Sequence, residues 1–185
     1  MPSRSKKVLL LAGWGGSDFP HWQSWLAGEI AKDYGTVSFL EFSDFEFPNF
    51  SVWKKELREH LRDFRPDIVI CHSLANTLWF HLCNTNSIEK VQKLYLVAPP
   101  SIKCDITELE SFFPLDMPKN AHANETLLIT STDDPYMNMD EAKELQDSLS
   151  VEMVVLENAG HINADSGYGE WPWILQMIKE DIKWK

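Results

Sequence analysis

The chain has 185 residues, of which 44% are hydrophobic, and a formal net charge of −11. This length is enough for one domain with a substantial core and is short for two domains. Because the phosphate backbone of nucleic acids binds basic faces, the acidic balance argues against a nucleic-acid partner. No segment of the sequence approaches the ~20 apolar residues of a membrane span, so no membrane association is expected.

The N-terminal stretch "MPSRSKKVLLLAGWGG" places basic residues before an apolar run, as a signal peptide does. The run from Val8 to Ala12 is shorter than a signal-peptide core and ends in glycines, which favours a first strand. Cys71, Cys83 and Cys104 are odd in number and have no metal-ligand spacing, as is typical of reduced thiols. These features predict a cytoplasmic protein.

Short apolar runs alternate with helical patterns along the chain. Six runs are typical of buried strands; they are KKVLLLAG, TVSFLEF, DIVIC, VQKLYLVAP, TLLITST and VEMVVLEN. Apolar side chains at helical spacing predict helices over 21–32, 52–64, 73–83, 139–149 and 171–183. The last helix is expected to bury Trp173, Ile174, Met177, Ile178 and Ile182.

Strict alternation of strands and helices predicts one α/β domain over residues 1–185, with helices on both faces of a mostly parallel sheet of about six strands. Ligands of such sheets bind at the carboxyl ends of the strands. The segment 99–125 is long for a connection and contains four prolines. We expect it to cover the site, with Phe112 and Phe113 as pocket walls or, alternatively, as ordinary core residues.

Three predicted strand ends carry residues with catalytic potential. Ser73 follows "DIVICH", Asp133 and Asp134 follow the fifth strand, and His161 follows the sixth. The order Ser, Asp, His is that of an α/β-hydrolase triad. A serine nucleophile needs an imidazole base, and a carboxylate fixes the tautomer of that imidazole. The spacing alone does not choose between the two aspartates.

Other interpretations exist for each of these residues. Ser73 at a helix start is typical of an N-cap, and an Asp-Asp pair is typical of a turn. A metal site of Asp133, Asp134 and His161 matches no known ligand spacing, so no metal or organic cofactor is expected. Cys71 as a thiol nucleophile would lie at the strand end and not at the apex of the turn. Three such residues in triad order favour the triad.

The turn at Ser73 departs from the usual G-x-S-x-G elbow. Its residues are Cys71-His72-Ser73-Leu74-Ala75, in which small residues replace both glycines. The backbone N–H of Leu74 is predicted to form half of an oxyanion hole. The glycine-rich "AGWGGS" after the first strand can approach a ligand closely, and Trp14 is the predicted second donor.

The segments "HSLAN", "STDDPY", "AGHIN" and "GWGGSDFPHWQSWL" resemble the YdeN-like or retinoblastoma-binding-protein-9-like serine hydrolases. These are small α/β-hydrolases without a large lid, and the resemblance spans nearly the whole chain. It implies an α/β-hydrolase fold with Ser73 as nucleophile, Asp134 as the acidic member and His161 as base. It also implies cleavage of ester-type substrates.

The expected function is hydrolysis of a small ester, thioester or amide through an acyl-serine, with a small-molecule acyl substrate. Two alternatives stay open. The first is a protein-binding module that keeps the hydrolase fold with little activity. The second is an acyltransferase that uses the same triad. No protein partner is predicted by any motif.

Overall fold

The computed structural model describes residues 6–32 and 35–182. Its strands are β1 (Lys7–Leu11), β2 (Thr36–Leu40), β3 (Ile68–His72), β4 (Val91–Val97), β5 (Ala123–Ser131) and β6 (Glu152–Leu156). Its α-helices are α1 (Trp22–Lys32), α2 (Phe50–Phe64), α3 (Leu74–Asn84), α4 (Met139–Leu149) and α5 (Pro172–Ile182). Short 3₁₀ helices cover Thr107–Phe112 and Ala164–Ser166. No described helix is long and apolar enough to cross a bilayer.

The six described strands form one sheet in the order β2-β1-β3-β4-β5-β6, and every pairing is parallel. Alternate residues of the strands point to opposite faces. Leu9 and Leu11 join a core cluster with residues of α2, α3 and α4, whereas Val8 and Leu10 join one with residues of α1 and α5. The predicted parallel sheet with helices on both faces is therefore confirmed.

The path of the chain creates a crevice at the carboxyl edge of the sheet. From β1 the chain proceeds outward to β2 and then returns to β3 on the other side of β1. Ligands of parallel sheets bind at such reversals of strand order, because the loops that leave the two strands diverge there. Gly13 follows β1 and Ser73 follows β3, so both lie at this crevice.

Strand β5 begins at Ala123, three residues before the predicted start, which shortens the connection from β4. Within this connection, Phe112 has no exposed surface and packs against Phe50 and Trp53 at ring-centroid distances of 5.6 and 5.4 Å. Phe113 is half-buried beside the same cluster. Of the two interpretations of Phe112, the structure supports ordinary core and not a pocket wall.

The prediction that Trp173 is buried is wrong. Its side chain is 38% exposed, whereas Ile174 and Ile178 are fully buried. Successive helical residues point about 100° apart, so Trp173 cannot share the inward direction of Ile174. It instead stacks on Trp171 at a ring-centroid distance of 5.6 Å, near the surface.

Candidate active site

Ser73 lies at a sharp turn between β3 and α3. Its φ and ψ of 53° and −127° fall in a region that residues other than glycine rarely adopt. Its backbone N–H donates to the carbonyl of Val97 at 3.1 Å, which fixes the turn to β4. The Ser73 side chain accepts no hydrogen bond from a helix amide. The alternative that Ser73 is a helix-capping side chain is therefore wrong.

The side chain of Asn76 stabilises this strained turn. Its side-chain Nδ2 donates to the carbonyl oxygens of Ser73 and Val97, both at 2.9 Å, and the residue is fully buried. This role of Asn76 was not predicted from the sequence. The available signal was an amide side chain in the first turn of a largely apolar helix, since buried polar groups are rarely left without a partner.

Ser73, His161 and Asp134 form a continuous hydrogen-bonded chain. The Ser73 Oγ lies 2.8 Å from Nε2 of His161, and Nδ1 of His161 lies 3.0 Å from each carboxylate oxygen of Asp134. The His161 and Asp134 side chains are 8% and 3% exposed. In this geometry Nδ1–H donates to the carboxylate, which leaves the lone pair of Nε2 facing the serine hydroxyl. The structure thus brings together the three residues that the resemblance implied.

Asp133 points away from His161 and fixes the loop that carries it. Its Oδ1 accepts hydrogen bonds from Ser131 Oγ and from the Gly160 amide, both at 2.7 Å. These bonds hold the pKa of the Asp133 carboxyl below its usual value. Asp134 is oriented separately, since its Oδ1 also accepts from the amide of Tyr136 at 2.9 Å.

The loop after β1 passes directly over Ser73. The Gly15 amide donates to Phe45 and the Gly16 amide to Gly13, at 3.1 and 3.2 Å. Within the described part of the chain, the amides of Trp14 and Leu74 have no hydrogen-bond partner. The two predicted oxyanion donors are thus unoccupied N–H groups on either side of the crevice, and their role stays a prediction.

Comparison with known proteins assigns the chain to a family. The family model for serine hydrolases matches residues 8–180. The chain belongs to the serine hydrolase family. No curated protein matches it significantly.

Solved structures share the fold of this serine hydrolase. The ydeN gene product of Bacillus subtilis is 17% identical with a TM-score of 0.78, covering 95% of this chain and 98% of its own. A YdeN-like hydrolase of Pectobacterium atrosepticum is 24% identical with a TM-score of 0.76, covering 96% and 91%. An esterase domain of a Rhodothermus marinus protein is 14% identical with a TM-score of 0.68, covering 95% and 85%. The predicted α/β-hydrolase fold of the YdeN type is confirmed.

Two further histidines, His21 and His72, lie close to His161 in this hydrolase. His72 donates from Nε2 to the backbone carbonyl of His161 at 3.1 Å, and its ring lies 4.9 Å from that of His21. Burial lowers the pKa of His21 to about 4 and that of His72 well below its usual value. Both rings are therefore neutral, and His72 anchors the His161 loop. No local sequence pattern links His21 to His72, because the two residues are far apart in the chain and meet only in the folded protein.

The alternative that Cys71 is a thiol nucleophile fails because of its burial. Cys71 is fully buried, and burial raises the pKa of its thiol far above its usual value, so it cannot serve as a thiolate nucleophile. Among residues 6–32 and 35–182, no group of three His, Cys, Asp or Glu side chains could hold a metal ion.

Proposed function

We propose that this serine hydrolase cleaves a small ester, thioester or amide through an acyl-enzyme on Ser73. The observation that carries the proposal is the hydrogen-bonded chain from Ser73 through His161 to Asp134 at a strained turn. In the proposal Ser73 is the nucleophile, His161 the general base and Asp134 the group that orients the imidazole. Neither helix capping nor loop stabilisation requires this alignment.

The geometry supports acyl transfer in two halves. In the first, the Ser73 Oγ forms a bond to the acyl carbon while its proton passes to Nε2 of His161. The carbonyl oxygen becomes an oxyanion that the Trp14 and Leu74 amides stabilise. The imidazolium then gives its proton to the leaving group as the old acyl bond breaks.

In the second half, water replaces the leaving group. His161 takes a proton from the water molecule while the oxygen of that water attacks the acyl carbon. The tetrahedral intermediate then collapses, the bond to Ser73 breaks and the serine regains its proton. The buried carboxylate of Asp134 stabilises the imidazolium in both halves, and no cofactor enters the reaction.

A fluorophosphonate probe tests the proposal, and the chain contains a matched control. Ser38 Oγ lies 2.9 Å from Nε2 of His60, nearly the same distance as in the Ser73–His161 pair. Ser38, however, lies on β2 and not at a strained turn. The probe should label Ser73, Ser73→Ala should abolish labelling, and Ser38→Ala should leave it unchanged.

A panel of p-nitrophenyl esters then measures turnover. Ser73→Ala should lose activity by orders of magnitude, because triad members act as a unit. Folded wild-type protein that neither reacts with the probe nor hydrolyses any ester would overturn the proposal in favour of a binding module.

A further inference from the structure

A cavity of about 860 Å³ lies along α2 and reaches the amino ends of β3 and β4, whereas the candidate active site lies at the carboxyl ends of the strands. Its lining comes from α2, from Pro66 just before β3, and from residues 87–91 that lead into β4. Parallel strands rise about 3.3 Å per residue, so the length of β3 separates Pro66 from Ser73 by about 20 Å. The cavity is therefore a different site from the triad. We call it the basic cavity because cationic side chains line it.

The lining reverses the charge of the protein. Its six cationic side chains are Lys54, Lys55, Arg58, Arg62, Arg65 and Lys90. Only Glu59 and Glu89 oppose them, so the lining carries a formal charge of +4, in a chain whose net charge is −11. Concave walls of one sign concentrate the electrostatic field and attract ions of the opposite sign.

The fold does not account for this arrangement. Lys54, Arg58 and Arg62 follow one another at four-residue spacing on α2, where like charges destabilise a helix. The helix dipole favours cations only in the last turn, which explains Arg62 but neither Lys54 nor Arg58.

Several of these cations also have no counter-ion. Arg62 pairs with the adjacent Asp63 at 2.8 Å. Within the described ranges, Lys55, Arg58 and Lys90 have no ion-pair partner. A bound polyanion would replace the repulsion among these side chains by attraction.

The remaining lining defines the class of ligand. Leu61, Pro66, Ile88 and Val91 add apolar surface beside the cations. The volume falls in the range of small-molecule sites, which is about 300–1,000 Å³. Guanidinium groups bind phosphate oxygens through paired hydrogen bonds.

We propose that the basic cavity binds a soluble small molecule that carries two or more phosphate groups on an apolar or planar body. The phosphates contact Arg58, Lys55 and Lys90, and the body lies against Leu61 and Ile88. The same phosphate chemistry occurs on phosphorylated lipid headgroups. The overall charge of −11 opposes adsorption to an anionic membrane, which favours the soluble source.

Calorimetry and thermal unfolding with tripolyphosphate and adenosine triphosphate test this proposal. Both probes should bind and raise the melting temperature, since a ligand of the native state stabilises it. Sodium chloride at matched ionic strength should not reproduce the rise. Arg58→Glu should weaken binding at least about tenfold, the loss expected for one charge-assisted contact. This substitution also relieves the repulsion on α2, so the variant should fold.

Lys143→Glu is the matched control, since Lys143 is an exposed cation on α4 outside the basic cavity. It should bind both probes as the wild type does. Absence of binding in the wild type, or equal affinity in Arg58→Glu, would overturn the proposal. Sedimentation with vesicles that contain phosphorylated inositol lipids, without binding of the soluble probes, would overturn the soluble source. These measurements are of binding and do not depend on catalysis by Ser73.

Discussion

Gly13 and Ser73 approach so closely that no side chain fits between them. A β-carbon on Gly13 would lie 2.7 Å from the β-carbon of Ser73 and 3.0 Å from the carbonyl oxygen of His72. Its distance to the Leu74 amide nitrogen would be 3.4 Å. The absence of a side chain at Gly13 therefore lets the loop after β1 and the turn after β3 form the two walls of one crevice.

Gly13→Ala should lower kcat strongly while the protein stays folded, because the added methyl group must displace either the Ser73 turn or the loop that carries the Trp14 amide. Gly28→Ala is the control, since a β-carbon on Gly28 meets nothing within 4 Å and the residue lies inside α1. It should raise the free energy of unfolding by about 0.5–1 kcal/mol and leave ester turnover unchanged. Equal turnover in both variants would show that the crevice can widen without cost.

The adjacent aspartates should separate catalysis from loop structure. Asp134→Asn should reduce kcat by roughly 10⁴-fold, because an amide in place of the carboxylate favours the wrong tautomer of His161. Asp133→Asn should mainly lower the melting temperature, because it weakens the bonds to Ser131 and Gly160. Ester turnover and melting temperature of both variants check this assignment. A catalytic collapse in Asp133→Asn alone would reverse it.

Buried neutral histidines should make the fold sensitive to acid. His21 has its pKa lowered from 6.5 to about 4, so between these values the unfolded chain binds more protons than the folded one. The free energy of unfolding should therefore fall as the pH falls through this window, by up to about 3 kcal/mol from His21. Urea unfolding of wild type and His21→Gln at neutral and mildly acidic pH measures the effect. The variant should show the smaller pH dependence, and an identical dependence in both proteins would contradict the assignment.

Phe112 should contribute to stability and not to substrate choice. Phe112→Ala should lower the free energy of unfolding by about 3–5 kcal/mol, because it empties a fully buried site against Trp53. Phe113→Ala should lower the free energy of unfolding by less, because Phe113 is only half-buried. Acyl-chain preference on a p-nitrophenyl ester series should be the same in Phe112→Ala as in the wild type. A shifted preference would show that Phe112 lines the substrate pocket.

The architecture of this protein and the candidate residues of its site could be predicted from the sequence. Apolar period and length are local properties, so the strand before Ser73 and the α4 helix were predictable from neighbouring residues alone. Ser73, the aspartate pair and His161 each follow a predicted strand, and parallel strands bring their carboxyl ends to one edge. The convergence of these residues on one edge depends only on the order of the strands and helices.

How these residues contact one another depends on tertiary packing. The sequence pattern does not distinguish Asp133 from Asp134, because the two aspartates are adjacent. The turn after β5 orients only Asp134 toward His161. Contacts such as His72 with the His161 carbonyl join residues 89 positions apart, so no local pattern encodes them. Tertiary packing also determines three other features: the burial of Phe112, the exposure of Trp173 and the basic cavity. Each depends on which elements pack together, and packing is a property of the folded chain as a whole.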